Sequence, residues 1–106
     1  MDDVPPKQDS CGELRELFSS KNIGIAHTIV SGTTQKHMHK RTEEVYYVIK
    51  GAGIMVLGDE EAIIREGDTI PILKNTWHCL KTINGKPFEL LAVTHPKFDQ
   101  TDMIFD

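Results

Sequence analysis

The sequence predicts an all-β protein, an antiparallel sandwich or barrel, and three observations carry that expectation. From residue 23 the chain alternates with period two: Ile23, Ile25, His27 and Ile29 are interleaved with Asn22, Gly24, Ala26 and Thr28. Such alternation places one set of side chains on each face of a strand. Further short β-rich runs follow at 44–49, 52–57, 61–65, 69–73, 77–83 and 88–94, closely and evenly spaced with no long helical segment between them. Turn clusters punctuate them: Lys50-Gly51, Gly58-Asp59, Glu66-Gly67-Asp68 and Asn84-Gly85. Asn84-Gly85 is a strong two-residue hairpin signal, since both residues tolerate positive φ. Short strands in that rhythm read as a sandwich or barrel.

The segments outside the strands are brief. Residues 1–10 read as a loose arm bearing acids and two adjacent prolines. Ser10 and Glu13 have the residue types of a capping box, and Leu14, Leu17 and Phe18 follow at helical spacing. One short helix is therefore expected, reaching about residue 19. The domain layout is then a single unit over 1–106: arm and short helix in 1–20, barrel in 23–94, and a polar, turn-like tail in 96–106. Met103, Ile104 and Phe105 at the end of that tail are expected to pack it back onto the barrel or onto a partner chain.

Composition narrows the function classes. With 39% apolar and 26% charged residues, the chain reads as an ordinary soluble protein. A net charge of −4, with lysines and arginines scattered singly among acids, leaves no basic stripe for nucleic acid. The longest apolar runs fall far short of the roughly 20 residues that cross a bilayer. The acidic, proline-broken start is unlike a signal peptide, so a cytoplasmic address is expected. Cys11 and Cys79 form no CxxC pair and are expected to be free thiols in a reducing compartment.

Chemistry concentrates in His37-Met38-His39-Lys40-Arg41-Thr42-Glu43-Glu44. Residues two apart on a strand share a face, so His37 and His39 can address one target while Met38 faces away. His78 stands in a later strand. Three imidazoles and a carboxylate suit a divalent metal such as Mn, Fe, Co, Ni or Zn. A His-x-His pair alone is no proof of a site, because histidines on strands are commonly surface or packing residues.

Around these residues the sequence resembles the cupin superfamily. The first cupin motif runs glycine, five residues, His-x-His, three or four residues, glutamate, six residues, glycine. Here Gly32 precedes His37-Met38-His39 by four residues, four more lead to Glu44, and six more to Gly51. The second motif is degenerate: Gly67-Asp68 opens it and Thr76-Trp77-His78 closes it. Leu73-Lys74-Asn75 replaces its Pro-x-Gly turn, and Thr82 takes the asparagine position. Asn75 can still supply the left-handed conformation. The resemblance spans residues 23 to 94. Within the superfamily the chain looks like the small single-domain cupins called mannose-6-phosphate-isomerase-like.

That resemblance implies an antiparallel double-stranded β-helix, or jelly-roll barrel, with one divalent metal on His37, His39, Glu44 and His78. One or two coordination positions would remain for water or substrate. The motif spacing selects Glu44 over Glu43, and alternation then turns Tyr46 and Val48 inward. Val45, Tyr47 and Ile49 face the other side, where the resemblance implies cover by a partner in a homodimer.

The catalytic residues are not identified. Tyr46 and Gln35 are candidates to touch substrate, and a small polar molecule is the expected partner. Lys36, Lys40 and Arg41 read as a solvated rim. His27 reads as a core or pocket-lining residue, His95 as a surface residue, Trp77 as packing, and Cys79 is turned from the metal by alternation.

Two functions of different class follow. One is a metal-dependent enzyme, an isomerase, epimerase or dioxygenase, acting on a sugar-like or oxygenated substrate. The other is a metal- or small-ligand-binding module without turnover. A plain β-sandwich with coincidental histidines would leave the four residues apart.

Overall fold

The computed structural model describes residues 7–9, 12–96 and 100–105. The strands are β1 (Lys7–Asp9), β2 (Gly12–Ser19), β3 (Gly24–Val30), β4 (His37–His39), β5 (Glu43–Lys50) and β6 (Ala52–Leu57). They continue as β7 (Glu60–Arg65), β8 (Thr69–Ile72), β9 (His78–Thr82), β10 (Phe88–His95) and β11 (Met103–Phe105), with a 3-10 turn at Gln100–Asp102. All pairings are antiparallel, in a six-stranded sheet ordered β1-β2-β3-β10-β5-β8 and a five-stranded sheet ordered β11-β4-β9-β6-β7. The all-β expectation is met, and no helix among the described residues is long and apolar enough to cross a membrane.

The alternation read from sequence is the burial pattern found. In β5, Glu44, Tyr46 and Val48 are buried while Glu43, Val45, Tyr47 and Ile49 are exposed. In β10, Phe88, Leu90, Ala92 and Thr94 point inward. Phe88, Leu90 and Ala92 join Tyr46, Val48, Val30, Met55, Ile64, Ile72 and Leu80 in a core between the two sheets. The Asn84-Gly85 turn has both residues at positive φ, 52° and 70°, and Lys86 N donates to the Ile83 carbonyl across it. Positive φ at both central positions matches the twist of the flanking strands.

The expected N-terminal helix is not formed; residues 12–19 are strand β2. The expected cap, Ser10, lies outside the described residues, as does Cys11. A single helix of that length is marginal on its own, whereas as a strand the segment ladders with the whole of β3. The register shifts between Glu16 and Phe18, and the bulge explains the misleading spacing. Leu14 stands opposite buried Thr28 on the inner face, and Phe18 stands opposite Ile25 on the outer face. One inserted residue turned a period of two into an apparent helical period.

Gly53 permits the closest approach in the core. A Cβ built there would lie 2.5 Å from Phe88 Cζ and 2.7 Å from Cδ1, and closer still to Cε1. Phe88 is 1% exposed and cannot retreat. The Gly53→Ala variant is therefore expected to lose about 1–3 kcal/mol by overpacking. Urea unfolding checks this, and an unchanged midpoint would show that the ring has room to move.

Candidate metal centre

The four residues singled out by motif converge. β4 is three residues long, with His37 and His39 buried on one face and Met38 between them half-buried. β4 pairs with β9 so that His37 stands directly opposite His78, and residues opposite one another in a ladder share a face. Glu44 enters from the other sheet, on β5. All four are buried, and their ligand atoms lie within 4.8 Å of one another. An ion with ligands at about 2.0–2.2 Å sets opposed donors roughly 4 Å apart, so the cluster is close to the size an ion needs. A sandwich with unrelated histidines is excluded.

The surroundings fix which nitrogens are available. His37 Nδ1 donates to the Gln35 carbonyl at 2.8 Å, and His78 Nδ1 donates to the Thr76 carbonyl at 2.9 Å. A carbonyl can only accept, so each Nδ1 carries the proton and each Nε2 of a neutral ring keeps its lone pair for the centre. Glu44 Oε1 sits 2.8 Å from His39 Nε2 and 3.4 Å from His78 Nε2. Yet Glu44 Oε1 and His78 Nε2 are buried without a hydrogen bond of acceptable geometry. Buried polar atoms left this way are costly. A divalent cation among them would accept their lone pairs, so the residues present fit a metal.

Burial lowers the His37 pKa below its ordinary value, ahead of the opposing hydrogen bond to Gln35, with His78 and His39 lowering it further. The ring is thus neutral and ready to ligate near pH 7. For Glu44, burial alone would raise the pKa, but the imidazoles of His39 and His78 outweigh it and bring the carboxyl to about 2.

The second-motif turn is docked on the first motif. Asn75 has φ 63°, the left-handed conformation expected of it, and its N–H donates to the His39 carbonyl at 2.6 Å. Tyr46 is buried on the inner face, its ring edge-on to His78 with centroids 6.4 Å apart. Gln35 contributes its carbonyl to His37, while the residue itself is exposed. Cys79 is a buried free thiol outside the cluster. Trp77 is half-buried, Lys40 and Arg41 are exposed, and His95 is at the surface.

Of the two readings offered for His27, core or pocket lining, the second holds: it lines a small pocket on the outer face with Glu13, Arg15 and Ile29. It is half-buried, opposite Leu91, and its Nε2 is 2.9 Å from Glu89 Oε1. Its strand neighbour Thr28 takes the inner face instead.

Sequence reasoning missed Asp102 and the ring of Phe105. The Asp102 carboxylate is buried and accepts hydrogen bonds from the Arg41 and Thr42 backbone. Burial would raise its pKa, but those N–H groups and the Arg41 guanidinium hold it below the ordinary range. Phe105 stands opposite His37 in the β11–β4 ladder, with ring centroids 5.8 Å apart. No motif marks either residue. The one available signal was the apolar triplet Met103-Ile104-Phe105 after a polar stretch, and its expected packing onto the barrel is realised by β11.

Two antiparallel sheets that bring three histidines and a glutamate together define a class, the β-barrels built around a metal-type site. Within that class, the cupin domain model matches residues 25–94, and the chain belongs to the cupin family. It is 34% identical over 88 residues to the uncharacterized protein MJ1618 of Methanocaldococcus jannaschii, covering 81% of this chain and 70% of that protein.

Among solved structures, Pac13 of Streptomyces, a nucleoside dehydratase, superposes with TM-score 0.85 at 18% identity over 99% of this chain and 86% of its own. KdgF from Halomonas gives TM-score 0.83 at 14% identity, covering 94% and 93%. A predicted oxalate decarboxylase from Thermotoga maritima gives 0.79 at 21% identity, covering 90% and 95%. At these identities the likeness concerns the fold. The narrower mannose-6-phosphate-isomerase-like grouping rests on motif resemblance alone.

The pKa directions fix a sign for the metal-free protein. His37 binds its proton more weakly folded than unfolded, so stability falls as pH drops below about 6.5. Glu44 contributes stability that is complete above about 4.5 and is lost as pH falls toward about 2. Urea midpoints measured from pH 7.5 down to pH 3 should therefore decline in both windows. A flat profile between pH 7.5 and 5 would mean that His37 is not held neutral.

Proposed function

We propose that this protein is a metal-dependent cupin enzyme acting on a small polar, oxygenated substrate. His37, His39, Glu44 and His78 would hold one first-row divalent ion. The observation that carries this reading is the buried convergence of four ligand-type groups, in which Glu44 Oε1 and His78 Nε2 lack a hydrogen bond of acceptable geometry. Such an ion polarises an oxygen bound at an open position and, when redox-active, supports oxygen chemistry. Within the chain, the Gln35 and Thr76 carbonyls orient the two imidazoles, and the neutral His37 keeps its donor free of a proton. Tyr46 supplies a phenol on the inner face beside His78. The likeness to Pac13 and to a predicted oxalate decarboxylase supports an enzyme of small oxygenated molecules.

A second reading, binding without turnover, is favoured by one observation. Among the described residues the metal-capable cluster ends at these four, with no further carboxylate or imidazole beside them to move a proton. Turnover would then rest on Tyr46 or on groups of the substrate itself.

We also propose a homodimer through the outer face of the six-stranded sheet. Among the described residues, five of the nine exposed large hydrophobics, Phe18, Val45, Tyr47, Ile49 and Val93, lie there. Phe18, Ile25, Val93, Val45 and Pro71 form one row across five strands. A patch of that kind is unusual on a monomer. Charges of both signs border it, Arg15 and Lys50 with Glu13 and Glu89, which lets a twofold-related copy match its own rim.

Elemental analysis of protein purified without chelator or a metal-binding tag is expected to find about one equivalent of a first-row metal, absent from the His39→Ala, His78→Ala double variant. Wild-type protein that holds none, and takes up none of Mn, Fe, Co, Ni or Zn when supplied, would sink the metalloenzyme reading. Light scattering is expected to give twice the chain mass for wild type and the single-chain mass for a Val45→Asp, Val93→Asp variant. Wild type eluting at single-chain mass would overturn the dimer.

A further inference from the structure

The turn between β4 and β5 carries no ligand of its own, yet it decides where two of them stand. His39 ends β4 and Glu44 is the second residue of β5. Residues 40–42 therefore set the separation and angle of those two side chains. Most turns of this length are held by their own backbone and by solvent. This one is gripped by a residue far along the chain.

Asp102 makes that grip with nearly all of its acceptor capacity. Lys40 N donates to the Asp102 backbone carbonyl at 3.3 Å. Arg41 N donates to Oδ2 at 2.9 Å and is 3.1 Å from Oδ1, and Thr42 N donates to Oδ2 at 3.1 Å. Arg41 Nε donates to Oδ1 at 3.2 Å. Three successive backbone N–H groups thus point at a single residue whose side chain is 2% exposed. A carboxylate taken out of water is retained only where hydrogen bonds compensate it. Among the described residues the compensation comes from the ligand-bearing turn. The chain then continues as β11, which ladders onto β4 with Met103 opposite His39 and Phe105 opposite His37. Clamp and ladder together fix both ends of the segment that presents His37, His39 and Glu44.

We infer that Asp102 is a positioning residue of the metal centre, a clamp on the 40–42 turn that sets the spacing of His39 and Glu44. The inference rests on reading this cluster as a metal centre. Partners one step removed from metal ligands typically govern affinity by 10- to 100-fold. The clamp differs from ordinary support of a metal site in acting through backbone N–H groups rather than through a ligand's own second nitrogen. Its strength should therefore follow the carboxylate oxygen facing Arg41 N and Thr42 N, and not the exposed guanidinium.

The test uses Co(II) as the probe on the full chain, with affinity from chelator competition, the visible absorption spectrum of the loaded protein, and amide exchange of the metal-free protein. Asp102→Ala is expected to weaken Co(II) binding 10- to 100-fold, change the ligand-field bands, and speed exchange at the Arg41 and Thr42 amides. Arg41→Ala, which leaves the backbone bonds in place, should bind within about threefold of wild type and keep its spectrum. An Asp102→Ala protein with native circular dichroism, wild-type affinity and wild-type spectrum overturns the inference.

If Asp102→Ala does not fold, Asp102→Asn and Asp102→Glu decide. The amide of Asp102→Asn can keep an oxygen on Arg41 N and Thr42 N, so that variant should bind Co(II) like wild type. Asp102→Glu, which keeps the charge but moves the carboxylate by one CH2 off those N–H groups, is expected to change the Co(II) spectrum. An unchanged Asp102→Glu spectrum overturns the clamp. If wild type takes up no Co(II), the metal reading falls separately. Amide exchange then decides the clamp: protection of Arg41 and Thr42 that is lost in the variant supports it, and equal exchange overturns it.

Discussion

A carboxylate oxygen and an imidazole nitrogen, Glu44 Oε1 and His78 Nε2, are buried side by side without a hydrogen bond of acceptable geometry, and much of this barrel is arranged around that difficulty. Glu44 Oε1 approaches two histidine nitrogens without good hydrogen-bond geometry. Lone pairs directed at a common point call for a cation, and the protein keeps them directed there. The β4–β9 register sets His37 against His78. Two backbone carbonyls choose the tautomer of those rings. The second-motif turn reaches back to the His39 carbonyl through Asn75. Each device spends local freedom to hold a cluster that is unfavourable by itself.

The six-stranded sheet serves two purposes with one alternation. Its inner face begins at Glu44 and grades through Tyr46 into the apolar core at Val48, Leu90 and Phe88. Its outer face carries Val45, Tyr47 and Val93 in the open, beside the His27–Glu89 pair. Because the side-chain period is two, a slip of one residue in β5 would exchange these faces, moving Glu44 out and Tyr47 in. The register is therefore fixed from both sides, by the core beneath and by the laddering of β5 with β10 and β8.

How far the sequence could be read depends on how local each feature is. The strands from residue 24 onward, the Asn84-Gly85 hairpin and the inward set Glu44, Tyr46 and Val48 follow from alternation and turn chemistry. Those signals extend over a few residues. The convergence of His37, His39, Glu44 and His78 was legible because the family motif stores a three-dimensional meeting as a spacing in the chain. Where a bulge shifted the phase, as at residues 16–18, the same reasoning produced a helix that is a strand. Alternation correctly grouped His27 with Ile25 and Ile29 but gives two faces without saying which is buried, so it left core and pocket lining open. Asp102 was invisible, since a carboxylate that grips a turn 60 residues earlier has no local pattern.

The four residues that could hold a metal are divided unequally between the layers: three on the five-stranded sheet and one, Glu44, on the six-stranded sheet. An ion held by all four would be a strap between the layers. Something that binds only the native state lowers the unfolded fraction in proportion to its free concentration over its dissociation constant. Cellular proteases act on the unfolded fraction. Copies made while the metal is scarce would be cleared sooner than copies made while it is plentiful. The amount of this protein in a cell, and not only its chemistry, would then report the recent supply of the ion.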